Sequence, residues 1–167
     1  MQLDTLNTLD QAAFTEALGE IYEHSPWIPA LTWDKNPFSS IEELHQSLSV
    51  TVQGAREIQQ LALIRAHPDL AGKLAVAGEL TDSSTAEQKS ARLDQLTNEQ
   101  FKHMSQMNDT YKNKFEFPFI ICVKDHTQES IFSHFESRLI NDMQAERSEA
   151  LTQINRIAWH RLNDLLN

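Results

Sequence analysis

Apolar residues recur at steps of three and four along most of the chain, a spacing typical of helices that bury one face. The stripes with this spacing are Phe14, Ala17, Leu18, Ile21 and Tyr22; Ile41, Leu44 and Leu48; Ile58, Leu61, Ala62 and Ile64; Phe101, Met104, Tyr111 and Phe115; Ile131, Phe132, Phe135 and Leu139; and Leu151, Ile154, Ala158, Leu162 and Leu165. Asn108 interrupts the fourth stripe. With only four glycines in the chain, this pattern predicts an all-α protein, a compact single-domain bundle of roughly seven to nine helices.

Four sequences of the form Ser/Thr-x-x-Glu/Gln predict helix N-termini, because both side chains can satisfy free N–H groups there. They are Thr8–Gln11, Ser40–Glu43, Ser84–Glu87 and Thr97–Gln100. Pro26 and Pro68 predict helix ends, since a proline disfavours helical geometry at the residue before it. Pro68 ends its helix at about His67, within the segment 62–73 that passes from helix into a polar loop.

Two segments between the stripes are predicted to be connectors. Residues 27–38 contain two tryptophans, two prolines and an Asn-Pro step, a composition typical of a loop whose aromatic side chains pack on the core. Residues 115–123 are mostly apolar but include Pro118 and have no evident partner strand. We therefore expect an ordered connector there and a sheet content near zero.

Length and composition narrow the class of protein. With 167 residues, 40% of them apolar, the chain predicts one domain, residues 1–167, with a real hydrophobic core. The formal charge is −10 and the basic residues are scattered, so we expect no nucleic-acid partner. No stretch has the length of a membrane span, and neither a secretory leader nor a C-terminal Ser-Lys-Leu address is present, so we expect no membrane partner and a cytoplasmic location.

The sequence predicts no metal site. Cys122 is the only cysteine, which excludes an intrachain disulfide and a thiolate metal cluster. Its position in an apolar run indicates packing. The histidine and carboxylate spacings match no ligand pattern such as His-Glu-x-x-His, and no glycine-rich phosphate loop or nucleophile elbow is present.

Three side chains could carry chemistry, and each also has a purely structural explanation. His67 stands at a helix end between Arg65 and Asp69, where it could donate a proton or simply cap the helix C-terminus. Glu87 could belong to a binding site at a helix N-terminus or merely complete a capping box. Arg161 lies on the apolar stripe of the last helix, so it needs a partner, either a carboxylate of the protein or a substrate anion.

Four motifs together resemble, in order and spacing, the family of 2-oxo-4-hydroxy-4-carboxy-5-ureidoimidazoline (OHCU) decarboxylases. They are His67-Pro-Asp-Leu-Ala-Gly72, Ser84-Thr-Ala-Glu-Gln88, the stretch from Asn108 through Tyr111 to Phe117-Pro-Phe-Ile120, and Arg161 in the closing helix. The resemblance covers essentially the whole chain. One departure is Glu116, where family members usually have glycine; it concerns the turn before Phe117 more than the chemistry.

The resemblance implies a cofactor-free lyase of urate catabolism that converts OHCU to (S)-allantoin and CO2, assembled as a homodimer. It implies that His67 donates the proton and that Glu87 is its catalytic partner, either orienting His67 or acting on the leaving carboxylate. The substrate-binding residues that it implies are Pro68, Ser84, Thr85, Ala86, Glu87, Gln88, Phe119, Ile120, Ile121, Cys122, Val123 and Arg161. It implies no cofactor and no metal.

Two other functions are compatible with the residues themselves. One is a non-catalytic helical binding module, in which His67, Glu87 and Arg161 are caps and a buried ion pair. The other is an enzyme of related scaffold that acts on a different ureido or imidazolone acid. A decarboxylation assay distinguishes both from the family activity.

Overall fold

The computed structural model describes residues 1–72 and 78–167. Within these ranges it contains nine α-helices and no β-strand, which confirms the predicted all-α class. The helices are α1 Leu3–Leu6, α2 Gln11–Ala17, α3 Trp27–Thr32, α4 Ile41–Gln53, α5 Glu57–Ala66, α6 Asp82–Ser90, α7 Asn98–Phe115, α8 Gln128–Arg138 and α9 Met143–Leu166, and short 3₁₀ helices occupy Trp33–Lys35, Leu93–Gln95 and Val123–Asp125. Lys73, the last residue of the predicted segment 62–73, lies outside the described residues.

The chain divides into two compact units. The first comprises Met1–Ala66 and Asn155–Asn167, and the second comprises His67–Ile154. Helix α9 therefore contributes to both. The single domain over residues 1–167 stays a prediction. Across the described ranges, no helix combines the length and the apolar character needed to cross a membrane.

In the first unit, α3 packs against both α2 and α4. The core side chains with no exposed surface include Phe14, Leu18, Ile28, Leu44, Leu48 and Val52. Asn7 fixes the turn before α4, because its Nδ2 donates to the carbonyl of Phe38 at 2.8 Å and its Oδ1 accepts from the Phe38 N–H at 2.9 Å. One side-chain amide thus satisfies both backbone groups of a residue between helices.

In the second unit, the predicted connector 115–123 is held by an aromatic cluster. The ring of Tyr111 contacts four phenylalanine rings, at centroid distances of 4.6 Å to Phe115, 6.0 Å to Phe117, 5.3 Å to Phe119 and 5.8 Å to Phe135. Three of these contacts are edge-to-face, an arrangement that the ring quadrupoles favour. The connector is irregular and buried, and no strand forms in it, as predicted.

A buried charge network lies beside this cluster. Glu146 has no exposed surface, and its carboxylate accepts from the Tyr111 hydroxyl at 2.5 Å, from Arg138 Nε at 2.6 Å and from Asn141 Nδ2 at 2.8 Å. Arg138 also donates through Nη1 to the carbonyl of Ile120. Burial and the bond to Glu146 raise the pKa of Tyr111, so its hydroxyl remains a donor. The network joins α7, α8, α9 and the connector.

Two predicted helix boundaries of the first unit are wrong. Thr8–Gln11 is not a capping box: Asp10 caps α2 by accepting from the Ala13 N–H at 2.9 Å, while the Thr8 hydroxyl donates to the carbonyl of Thr5. Helix α2 also ends at Ala17, well before Pro26. The hydrophobic stripe nevertheless stays buried, because consecutive turns after α2 keep Leu18, Ile21 and Tyr22 in the core.

Residues 27–38 also differ from the prediction, because α3 and a 3₁₀ helix occupy most of the expected connector. Pro29 lies in the first turn of α3, where a missing N–H costs no intrahelical hydrogen bond. Of the other helix starts, Thr97 forms the complete predicted capping box with Gln100. Ser40 caps α4, but Glu43 bonds Ser39 instead of completing the box.

We predict that Arg138→Met lowers the free energy of unfolding by about 3–5 kcal/mol, because it leaves the Glu146 carboxylate buried without its cation. Urea denaturation followed by far-UV circular dichroism measures the change. Arg156→Met, on an exposed side chain of α9, is the control and is expected to change stability by at most about 0.5 kcal/mol. A similar effect of both substitutions would contradict the importance of the network.

We predict that Glu116→Gly stabilises the protein slightly. Glu116 ends α7 in the left-handed conformation, with φ of 60°, which costs an L-residue about 1–2 kcal/mol. Glycine avoids this cost, but it makes the unfolded chain more flexible, so that folding costs about 0.5–1 kcal/mol more in conformational entropy. We therefore expect a net gain in stability of roughly 0.5 kcal/mol. The same denaturation assay measures it. Asn113→Gly, within α7, is the control with the opposite expected sign, and a loss in both variants would rule out relief of strain.

Candidate active site

His67 directly follows the end of α5 at Ala66, where Pro68 was predicted to stop the helix. The side chain is buried, with 8% of its surface exposed. The turn that follows, Pro68–Gly72, is tight. Ala71 adopts a φ of +47°, and a Cβ on Gly72 would lie 2.6 Å from the Cβ of Asp69. Only glycine fits this close approach without a shift of the backbone.

Helix α6 holds this turn through Gln88. The Oε1 of Gln88 accepts from the Ala71 N–H at 2.9 Å, and its Nε2 contacts the carbonyl of Asp69 at 3.4 Å. Gln88 is buried, with 7% exposed. Because Gln88 follows Glu87 directly in the chain, these bonds bring the predicted catalytic helix against the turn that carries His67.

Helix α7 also contacts the turn Pro68–Gly72, through two of its side chains. Asn108 Nδ2 donates to the carbonyl of Leu70 at 2.9 Å, and Lys112 forms an ion pair with Asp69 at 2.5 Å. The ion pair is partly exposed, whereas Asn108 is buried. Three consecutive residues of the turn therefore have side-chain partners on α6 or α7.

The predicted start of α6 is wrong by one turn. Thr81 is the N-cap: its Oγ1 accepts from the Ser84 N–H at 3.2 Å and its carbonyl accepts from the Thr85 N–H at 2.9 Å. Ser84–Glu87 is therefore not a capping box. This removes the capping box as the explanation for Glu87. Of residues 84–88, Ser84 alone has an N–H in the first turn, and Thr81 already accepts it.

The residues of segment 84–88 differ in burial. Ser84, Glu87 and Gln88 are buried, Thr85 is intermediate and Ala86 is exposed. The side chains of Ser84 and Glu87, three residues apart, lie on one helix face. Helix α6 also packs against the 3₁₀ helix Val123–Asp125, which begins at the last residue of the predicted binding segment Phe119–Val123.

A cavity of about 380 Å³ lies beside α6, within the size range of ligand pockets. Its described lining includes Ala71, Thr85, Gln88, Lys89 and Phe101. Of the predicted site, only Thr85 and Gln88 border it. Neither Ser84 nor Glu87 lines it, so the cavity does not include the predicted catalytic carboxylate.

The predicted binding segment Phe119–Val123 is almost completely buried, with no residue more than 6% exposed. Some of its backbone groups have side-chain partners. The N–H of Cys122 donates to Oε1 of Gln153 at 2.9 Å, and the carbonyl of Ile120 accepts from Arg138. These bonds fix the path of an irregular segment that no ladder of backbone hydrogen bonds supports.

Arg161 belongs to the first unit, where it is 6% exposed. Its Nη1 donates to the carbonyl of Glu20 at 2.9 Å and to the carboxylate of Glu23 at 3.1 Å. Glu23 is itself buried, with 3% exposed. Of the two partners that the sequence left open, a carboxylate of the protein is therefore present.

Sequence reasoning missed Glu23, Arg138 and Glu146. Glu146 had a usable signal, because it lies four residues before Ala150 and eight before Ile154, in line with the apolar stripe of the last helix. Glu23 had none, since it stands between helices and no periodicity applies. Asn108 was noticed as an interruption of a stripe and as the first residue of a family motif, but no role was predicted for it.

Comparison with known proteins agrees with the sequence resemblance. The OHCU decarboxylase family model matches residues 7–163. The OHCU decarboxylase of Halalkalicoccus jeotgali is 42% identical over 165 residues, which cover 99% of this chain and 92% of that protein.

Two crystal structures share the fold. One, of (S)-allantoin synthase, matches with a TM-score of 0.81 at 24% identity, and this chain, covered completely, spans 54% of its length. The other, of OHCU decarboxylase in the presence of (S)-allantoin, matches with a TM-score of 0.71 at 19% identity over 89% of this chain and 96% of that one. Because the family match spans nearly all of the sequence and the relative is 42% identical, this chain belongs to the OHCU decarboxylase family.

Proposed function

We propose that this chain decarboxylates OHCU to (S)-allantoin and CO2 without a cofactor, in the degradation of urate. The predicted family and enzyme class, a carboxy-lyase, are confirmed by family membership. The stereochemistry of the product, the independence from cofactors and the roles of individual residues belong to the proposal.

One observation carries the assignment of the catalytic residues. Gln88 binds the backbone of Asp69 and Ala71, so the buried face of α6 touches the turn that begins at His67. Glu87 is buried next to Gln88 in sequence and does not complete a capping box, because the helix begins three residues earlier than Ser84–Glu87 predicted. A carboxylate and a histidine that are both withdrawn from water on contacting elements suit acid–base chemistry.

The substrate supplies its own electron sink. When the bond between the carboxylate and the hydroxyl-bearing ring carbon breaks, CO2 leaves and the electron pair forms a carbon–carbon double bond as the adjacent imine nitrogen takes up a proton. The neighbouring carbon, which bears the ureido group, is then protonated while the hydroxyl loses its proton and becomes a carbonyl. Atoms and charge balance without an oxidant or a reductant.

The enzyme must therefore hold the carboxylate out of the ring plane and deliver one proton to one face. We assign the delivery to His67, since a positioned acid contributes about 10²–10⁴ in rate. Glu87 either orients His67 or acts on the leaving carboxylate. The proposed substrate-binding set also contains Pro68, Ser84, Thr85, Ala86, Gln88, the segment Phe119–Val123 and Arg161.

The homodimeric assembly and the cytoplasmic location stay predictions. Ile140 is 85% exposed and Met143 is 46% exposed, so the second unit has apolar surface that a second copy of the chain could cover. This surface supports the assembly proposal without fixing its geometry.

We predict that wild-type protein produces one optically active allantoin when OHCU is generated in situ from urate, and that His67→Asn and Glu87→Gln abolish this signal. The reason is that both variants lose proton delivery to a single face of the product carbon. Circular dichroism of the reaction follows the product, and far-UV spectra check that helicity is kept. Glu129→Gln, an exposed position on α8, is the control and is expected to behave like wild type.

A wild-type rate equal to the spontaneous, racemic decay of OHCU would overturn the proposed function. Activity of His67→Asn at the wild-type level would keep the function but remove His67 from its proposed role. Activity of Glu87→Gln at the wild-type level would likewise keep the function but remove Glu87 from its proposed role.

We predict that Arg161→Lys raises KM for OHCU by about tenfold with a smaller change in kcat. Lysine keeps the charge but loses the planar fork that recognises oxygen pairs, and a loss of binding in ground state and transition state alike appears in KM. Initial rates measured over a range of OHCU concentrations separate the two constants. Arg156→Lys on the same helix is the control, and equal KM values for both variants would contradict a substrate-binding role.

A further inference from the structure

We propose that Asn108 is a positioning residue of the reaction, because its amide fixes the turn that carries His67. The inference rests on the proposed function of His67 as the proton donor. Asn108 lies on α7, outside the segments predicted to bind substrate, and it acts here through the backbone of the turn.

The contact itself is specific. Asn108 Nδ2 donates to the carbonyl of Leu70 at 2.9 Å, and both residues are buried, with 4% and 6% exposed. Leu70 lies three residues after His67. A buried carbonyl in a turn needs a donor, and this donor comes from a long helix that the aromatic cluster and Glu146 fix through Tyr111, three residues further along α7.

The carbonyl oxygen of the Asn108 side chain argues against a role in stability alone. Asn108 Oδ1 is shielded from solvent and has no hydrogen-bond partner among the described residues. A buried acceptor without a partner opposes folding, and this cost offsets what the bond to Leu70 contributes. An apolar side chain at position 108 would remove this orphan acceptor but leave the buried carbonyl of Leu70 without its donor. Burial energetics alone therefore give little preference for an amide there, and the placement of the turn is the better explanation.

The turn also needs external support, because its backbone is strained. Ala71 has the left-handed φ of +47°, and Gly72 makes a close approach to Asp69. Gln88 fixes the peptide groups of Asp69 and Ala71 from α6, and Asn108 fixes that of Leu70 from α7. Besides Asn108, the side chains that the described residues place on positions 69–71 are Gln88 on α6 and Lys112, whose ion pair with Asp69 is partly exposed.

Small displacements of His67 matter for proton transfer. A reacting group displaced by about 1 Å loses on the order of 10²-fold in rate. A displaced acid also delivers its proton less selectively, because solvent then competes for both faces of the carbon. Loss of the bond to Leu70 should therefore lower both kcat and the enantiomeric purity of allantoin.

The first test is Asn108→Leu, which keeps the side-chain length but removes the donor. We expect kcat to fall by about 10²-fold, KM to change by less than about threefold and the enantiomeric excess of allantoin to decrease. The melting temperature is expected to stay close to that of wild type, since the substitution removes one buried acceptor without a partner, Asn108 Oδ1, and creates another at the carbonyl of Leu70.

The second test is Asn108→Asp, which keeps the shape and replaces the amide nitrogen by an oxygen. The carboxylate form repels the carbonyl of Leu70, whereas the protonated form can donate to it. Burial raises the pKa of a carboxyl group, so protonation should begin within the assay range. We expect the ratio of variant to wild-type kcat to rise as the pH falls. Taking the ratio at each pH removes the titration of His67, Glu87, Asp69 and Lys112 themselves.

Asn7→Leu is the matched control, because Asn7 also fixes a turn through its amide but lies near Phe38 in the first unit. It is expected to lower the melting temperature and to leave kcat and enantiomeric excess unchanged.

The proposal fails if Asn108→Leu keeps kcat within twofold of wild type, if it lowers only the melting temperature, or if Asn7→Leu lowers kcat equally. If Asn108→Leu does not fold, the proposal is overturned when the ratio of Asn108→Asp kcat to wild-type kcat does not change with pH. An inactive wild type would instead refute the proposed function.

Discussion

The carboxylate of Glu146 is buried without any exposed surface, and the second unit depends on how that charge is neutralised. An isolated ionised carboxylate in such a place would cost far more than the stability of a domain. Arg138 supplies the opposite charge, and Tyr111 and Asn141 supply further donors. Because these donors come from α7, from α8 and from the segment between α8 and α9, satisfying one carboxylate requires those elements to dock together.

The same network determines the path of the connector. Arg138 donates to the carbonyl of Ile120 and lies over the ring of Phe119 at 4.4 Å. An irregular apolar segment has no ladder of its own to satisfy its backbone, so it can be buried only where side chains provide partners. Gln153 does the same for the N–H of Cys122. The network and Gln153 thus make it possible to bury the five residues Phe119–Val123 without a sheet.

The sequence predicted the helical class and the connector 115–123 because hydrophobic periodicity and proline reflect local physics. It predicted the start of α6 wrongly, because Thr81 and Ser84 are both acceptable caps in isolation and only the tertiary position of the helix selects between them. The partners of Arg161 and Glu146 could not be predicted either, because the tertiary structure determines them. A buried arginine shows in a sequence as an interruption of a stripe, but the carboxylate that pairs with it is fixed by the fold.

The turn after His67, the proposed proton donor, is held in part by neutral side chains. A side-chain amide fixes backbone without adding charge, whereas a charged side chain would itself shift the pKa of a nearby histidine. Gln88 and Asn108 are both amides, and each is bonded to peptide groups of the turn. The ion pair of Lys112 with Asp69 is partly exposed and joins two opposite charges. The amides of Gln88 and Asn108 therefore fix the backbone of the turn without themselves adding charge beside His67.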